Sequence, residues 1–212
     1  MAKLNYDHLL QYINEANKIG TGKEVDVYQY QDKVIKLFHN ERKTPIPRIS
    51  DEGLIMLTKL ELFCFNQPID IIYQEDKIVG YTEMFLEEKE INVELIDFSD
   101  IKHDLITLSE NGFCIEDLFY NYIFTDQKFV FNDLTSYHYL KTDIPFLKIQ
   151  NLRKNTIIMN NFLIGFLLFD AFRKGMPNEY TKMYLANEYR KKHCGDTFYG
   201  DVIQQKQSSF KN

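Results

Sequence analysis

Two short runs near the amino terminus constrain this chain more than any other feature. Val25 to Tyr30 and Lys33 to Phe38 both alternate in side-chain character and are rich in β-branched and aromatic residues. Only Gln31 and Asp32 separate them, so the two runs read as paired strands joined by a tight connection. A glycine pair, Gly20 and Gly22, stands directly before the first strand, where the absence of a side chain lets the backbone turn sharply and bring its amides close to a ligand.

The surrounding pattern extends this start into a small mixed lobe. Leu9, Leu10 and Ile13 give Leu4 to Ala16 the periodicity of a short helix. Pro45 and Pro47 make Glu41 to Ser50 a loop, and Ser50 reads as the N-cap of a helix from Asp51 to Leu62 with two acids in its first turn. Two more strand-like runs follow, Ile69 to Gln74 and Lys77 to Met84, split by the turn Glu75-Asp76. Beyond Glu87 the texture changes to helical periodicity in Ile101 to Ser109, a mixed region from Phe113 to Leu134, and an apolar helix from about Ile157. The order predicts an α+β chain with an antiparallel-sheet lobe in residues 1–86 and a mainly helical lobe in 87–212, joined near Phe85 to Glu87.

Composition narrows the function. With 212 residues, 44% apolar, the chain has enough material for a buried core without staples. Its net charge of −6 argues against a protein devoted to gripping nucleic acid or anionic lipid. Cys64, Cys114 and Cys194 form no CxxC pair, and the five histidines never approach ligand spacing, so neither a disulfide framework nor a zinc cluster is expected. The first residues lack the unbroken apolar core of a signal peptide, and Ile157 to Phe172 is interrupted by Asn160, Asn161 and Asp170, short of the roughly 20 apolar residues of a membrane span. A reduced, cytoplasmic protein is the expectation. The aromatic run Tyr120 to Phe131 reads as core packing.

Two groups carry chemistry in the first lobe. The segment Gly20-Thr21-Gly22-Lys23-Glu24 before a strand is neither a Walker loop, whose GxxxxGK[ST] spacing is absent, nor a dinucleotide fingerprint, which would lead into a helix. Lys36 lies 14 residues after Gly22, on the strand paired with the one leaving the glycine turn, where its ammonium would lie beneath the loop and hold phosphates. A carboxylate to position it is offered by Glu52, or by Asp51.

With these residues in place, the chain resembles the protein-kinase-like superfamily, and GTGKEVDVY is particularly similar to the nucleotide loop of RIO-type atypical kinases. The resemblance implies that Gly20, Thr21, Gly22, Lys23, Glu24 and Val27 cover a nucleotide. Gly80 to Leu86 looks like the strand entering a kinase hinge, which implies base contacts from Met84 and Leu86 and puts Glu83 at the gatekeeper position. Ile115 to Phe124 resembles a catalytic loop, with Asp117 as the residue that orients the acceptor hydroxyl. There Ile115 replaces the family's histidine. Asn121 comes four residues after Asp117 and Tyr122 five, so either a shortened loop still delivers Asn121 to metal or that ligand is lost. Asp133-Leu134-Thr135 looks like a divergent DFG, which implies Mg²⁺ on Asp133. Asn160 to Phe169 is similar to the central helix of the second lobe, with Asn160 in place of a capping Asp and Gly165 at the expected step. Gly175-Met176-Pro177 resembles the turn after it.

The resemblance therefore implies a bilobal protein-kinase-like fold that uses ATP and Mg²⁺ to phosphorylate a Ser/Thr hydroxyl, with Asp117, Lys36 and Glu52 as the catalytic set. Two alternatives stay open: a catalytically impaired pseudokinase acting as a binding module, and a small-molecule phosphotransferase on the same fold. No APE-like segment stands between Asp133 and Asn160, and the 126 residues after Leu86 are too few for a full kinase second lobe, so a protein and a small-molecule acceptor both remain possible partners.

Overall fold

The computed structural model describes residues 3–13, 17–22, 24–39, 48–89, 99–116, 118, 121–125 and 128–173. Its first part runs β1 (Lys3–Asn5), α1 (Tyr6–Ile13), β2 (Asn17–Thr21), β3 (Val25–Tyr30), β4 (Lys33–Phe38), α2 (Asp51–Leu57), β5 (Asp70–Gln74) and β6 (Lys77–Met84). The alternating runs form strands, β3 half-buried along its length and β4, β5 and β6 buried through their centres, and the two-residue turns hold Gln31 and Glu75 in left-handed backbone with φ of 56° and 53°. The six strands form one sheet in the order β1-β5-β6-β4-β3-β2, antiparallel throughout except for β1 against β5.

Register brings the chemistry together. Lys36 lies opposite Val27 on β3 and Tyr81 on β6, and Val34 lies opposite Glu83. Side chains two apart share a face, so Lys36, Tyr81 and Glu83 point to one side of the sheet. Gly80 permits this close pairing: a Cβ there would stand 2.2 Å from the carbonyl oxygen of Lys36.

Helix α1 packs Leu9 against Ile35 and Ile72 on one face of the sheet. Helix α2 begins as the sequence indicates, Ser50 Oγ accepting a hydrogen bond from Gly53 N at 3.1 Å, but it ends at Leu57 rather than Leu62. The following residues are diverted by side chains: Thr58 donates to Ile55 O, and Gln67 holds both Leu60 O and Leu62 N.

The second part contains α3 (Ser99–Glu110), β7 (Phe113–Cys114), β8 (Tyr122–Thr125), β9 (Lys128–Phe131), a 3₁₀ turn (Leu134–Ser136), β10 (His138–Tyr139) and α4 (Pro145–Arg173). β7 pairs with β10 and β8 with β9, both antiparallel. A continuous core joins the two parts through Leu54, Leu57, Phe65, Leu105, Phe129, Phe131 and Phe162, with the Phe65 and Phe131 rings 5.0 Å apart. Of the aromatic run, Phe124, Phe129 and Phe131 are core and Tyr122 packs against them, while Tyr120 lies outside the described residues. Helix α4 differs from expectation: it starts at Pro145, a residue suited to the first helical position, and passes unbroken through Asn160, which is therefore mid-helix and caps nothing. The polar residues that disguised its first half are accommodated internally, Thr156 donating to Leu152 O and Asn155 bonding neighbouring elements. Gly165 lies within α4, while Gly175 to Pro177 and Cys194 fall outside the described residues. Among the described residues no helix is long and apolar enough to cross a membrane.

Candidate functional site

Between the sheet and the elements beneath it lies a cleft of about 300 Å³. Ile19, Val25, Val27 and Val34 form its apolar roof, Ile123 its floor, and Met84, Phe85 and Leu86 its edge; Lys36, Asn66, Glu83, Asn121, Asn132 and Asp133 supply the polar groups. The sequence-expected residues Gly22, Val27, Lys36, Met84, Leu86, Asn121 and Asp133 thus meet in one place. Gly20, Thr21 and Glu24 belong to the overlying hairpin but do not wall the cleft, and Lys23 and Asp117 lie outside the described residues.

The glycines of the hairpin are not required by the chain's own packing. A Cβ on Gly20 would meet nothing closer than Val27 Cβ at 3.8 Å, and one on Gly22 nothing closer than Val25 Cγ2 at 3.5 Å. Neither has positive φ, and Gly22 N closes the turn on Val25 O at 2.8 Å. Beside the turn, Lys18 pairs with Asp26 across the strands at 2.9 Å, and His39 lies 3.2 Å from the same carboxylate. The Lys18 hydrogen bond, outweighing burial and helped by His39 and Thr21, holds Asp26 down to about 2.

Lys36 is 7% exposed, and its Nζ sits 2.8 Å from Oε1 of Glu83, itself 3% exposed. Burial opposes the lysine's charge, but Tyr81 and Glu83, with Asp133 further off, outweigh it and hold the ammonium above its ordinary value. The same burial raises the Glu83 carboxyl above the usual carboxylate range, against the pull of Lys36. Glu52, expected to be the partner of Lys36, is not. It is an exposed residue 3.5 Å from Lys141, because the short helix α2 turns its first acids to solvent while Gly53 packs inward. Glu83, which the resemblance puts at the gatekeeper position, is the lysine's partner.

Asp133 follows β9 in left-handed backbone, φ 62°, a conformation Asp tolerates, and its Oδ1 accepts a 2.5 Å hydrogen bond from Thr135 Oγ1. Asn121 shares the cleft with Asp133, and its carbonyl accepts from Asn132 N at 3.0 Å. Tyr122 instead enters β8 and packs edge-on against Phe129 and Phe162. Of the two alternatives, Asn121 is the one in the cleft. Ile115, in the position of the family's histidine, is fully buried and supports the loop through its backbone: its N–H donates to Asn155 Oδ1 at 2.8 Å. Asn155 also donates to Phe113 O and Ser109 Oγ, so one buried amide from α4 ties together the segment leading to Asp117. Nothing in the sequence pattern flagged Asn155, because its three partners are 40 or more residues away.

At the edge, Met84 O accepts a 2.8 Å hydrogen bond from Asn66 Nδ2, and Phe85 N donates to Asp32 O at 2.8 Å. Asn66, in the loop before β5, also escaped notice, since Asn66-Gln67-Pro68 reads as an ordinary turn.

Among the described residues no three His, Cys, Asp or Glu side chains cluster to hold a metal by themselves. Asp133 and Asn121 together offer hard oxygen donors of the kind Mg²⁺ takes when phosphates complete its shell, and the room beside Gly22 suits a ligand's approach, so the cleft fits both groups.

The order of the sheet, the helix after the lysine strand, the strand running into the cleft's edge, and the β8-β9 hairpin and β7-β10 pair of the second part form the α+β arrangement that the resemblance to the protein-kinase-like superfamily implies. No model of a known protein family matches the chain, and no curated protein does. Among solved structures it is similar to the Lpg2603 kinase of Legionella pneumophila, solved bound to IP6, at 16% identity and TM-score 0.45 over 70% of this chain and 60% of that one. It is also similar to a pseudokinase solved in its apo form, at 12% identity and TM-score 0.47 over 98% and 97% of the two chains. WbdD, solved with a kinase inhibitor, is similar at 15% identity and TM-score 0.43 over 87% of this chain and 49% of that one. The chain therefore spans less than two thirds of the length of two of these three proteins.

Proposed function

We propose that the cleft binds ATP with Mg²⁺ and that the chain transfers the γ-phosphoryl group to a hydroxyl. The observation that carries this reading is the buried Lys36 ammonium, kept charged by Glu83 and placed in one cleft with Gly22, the Met84 to Leu86 edge and Asp133. A buried cation with a carboxylate beside it is costly to fold around, and an anionic ligand gives the arrangement its use.

In this reading the hairpin from Gly20 to Glu24 covers the phosphates, and Val27, Met84 and Leu86 enclose the base. Lys36 neutralises phosphate charge, while Asp133 and Asn121 would hold Mg²⁺, which would supply positive charge beside the phosphates. Asp117 orients the acceptor hydroxyl and takes its proton as the O–P bond forms and ADP leaves. Glu83 takes over the positioning of Lys36 that the sequence assigned to Glu52. The acceptor is a Ser/Thr side chain or a small-molecule hydroxyl, in a cytoplasmic setting. A non-catalytic nucleotide-binding role is the second reading, favoured by Ile115, an apolar buried residue where the resemblance implies a histidine.

Incubation with γ-labelled ATP and Mg²⁺ tests the proposal. Label incorporated into the chain or an added hydroxyl acceptor, and lost in Lys36→Ala, Asp117→Asn and Asp133→Ala, supports transfer. Binding without incorporation supports the second reading, and failure to bind any nucleotide overturns both.

A further inference from the structure

The edge of the cleft is richer in acceptors than a base-binding edge made of backbone alone. Asn66 is 8% exposed and walls the cleft. Its amide nitrogen must be the atom facing Met84, because a carbonyl oxygen can only accept, and this fixes the orientation of the carboxamide. Asn66 Oδ1 accepts no hydrogen bond from the described residues and is open to the cleft, while Oε2 of Glu83, on the same wall, is buried without a donor. Met84 O retains its second lone pair. Beside these three acceptor oxygens the same edge carries the second hydrogen of Asn66 Nδ2 and the backbone N–H of Leu86. A ligand that covers these acceptors without donating to them is bound at a cost, so the ligand group that belongs here is one that donates.

Resting on the nucleotide reading above, we propose that Asn66 reads the exocyclic amino group of the base and makes the cleft selective for an amino purine over its oxo counterpart. The carboxamide offers Oδ1 to an amino N–H and its remaining N–H to an adjacent ring nitrogen, the pairing by which an amide recognises adenine. A 6-oxo group instead turns a further acceptor toward these oxygens. Asn66 is thus a specificity-determining residue, and the backbone contacts that the sequence assigned to Met84 and Leu86 are only part of the edge.

The test compares ATP with ITP, which differ at this edge of the base, by calorimetry on the full chain with Mg²⁺. The expected result is that ATP binds about tenfold or more tightly, the penalty for an unmatched buried polar group, and that Asn66→Ala brings the two within about threefold. Equal affinities in the unmodified protein overturn the inference without any variant having to fold. It is also overturned if Asn66→Ala keeps the preference, or tightens ATP binding, which would make the carboxamide an obstruction. If neither nucleotide binds, the nucleotide reading itself has failed, an outcome distinct from equal binding.

Discussion

Lys36 and Glu83 form a buried pair whose two halves depend on each other. Replacing Glu83 by Ala leaves an ammonium without its carboxylate in a nearly dry site and is expected to cost about 3–5 kcal/mol, read by urea denaturation. Glu52→Gln should stay within about 0.5 kcal/mol in the same measurement, since Glu52 is an exposed residue with a loose contact to Lys141. A loss of stability at Glu52 as large as at Glu83 would contradict the pairing. Asp26 gives a pH signature. Its folded value of about 2 lies below the ordinary 3.8, so its contribution is fully present above about pH 4 and is lost as pH falls toward 2. Thermal melts of Asp26→Asn should therefore fall less steeply than the unmodified protein between pH 4 and pH 2. At this scale the sequence singled out Lys36 and Asp133, which both line the cleft, but misassigned the lysine's partner. Alternation says that Glu83 shares a face with Tyr81; only strand register says that the face is that of Lys36.

At the scale of elements, α2 is fastened to the segment after Asp133 rather than to the lysine strand. Ile49 N donates to Thr135 O at 2.8 Å, and a Cβ on Gly53 would come within 2.7 Å of Tyr139 Cβ. Gly53→Ala is expected to destabilise by about 1–3 kcal/mol despite its better helix propensity, because both Tyr139 and Ile49 would have to move. A more stable Gly53→Ala protein in denaturant titration would show that α2 can shift freely. Asn155 fastens a second joint, where α4 meets α3 and β7. Asn155→Ala strands the Ile115 N–H and Phe113 O together, with an expected cost of about 2–4 kcal/mol and faster hydrogen exchange at Ile115. The strands were legible because a period of two and two-residue turns are local properties. The start of α4 was not, since Asn155 and Thr156 look like a break until their buried partners are known.

For the whole molecule, the cleft is where the two parts of the chain meet, so a ligand there should stabilise both. Saturating ATP with Mg²⁺, at about 100 times its dissociation constant, is expected to add about 2.7 kcal/mol and raise the melting temperature, and chelating the metal should reverse part of the gain. In Asp133→Asn the metal-dependent part should vanish while the nucleotide-dependent part remains. The same gain with and without metal would remove Asp133 from that role. By itself the sequence determined the sheet-then-helix order, the N-cap at Ser50 and the approach of Lys36 to a glycine turn, because each follows from short-range periodicity or from residues a strand apart. The partner of Lys36, the amide at Met84 and the clamp on Ile115 were decided by the tertiary structure alone. Each joins groups 18 to 47 residues apart in the chain, and a buried polar group takes its partner from whatever folding brings within 3 Å, which no local pattern encodes.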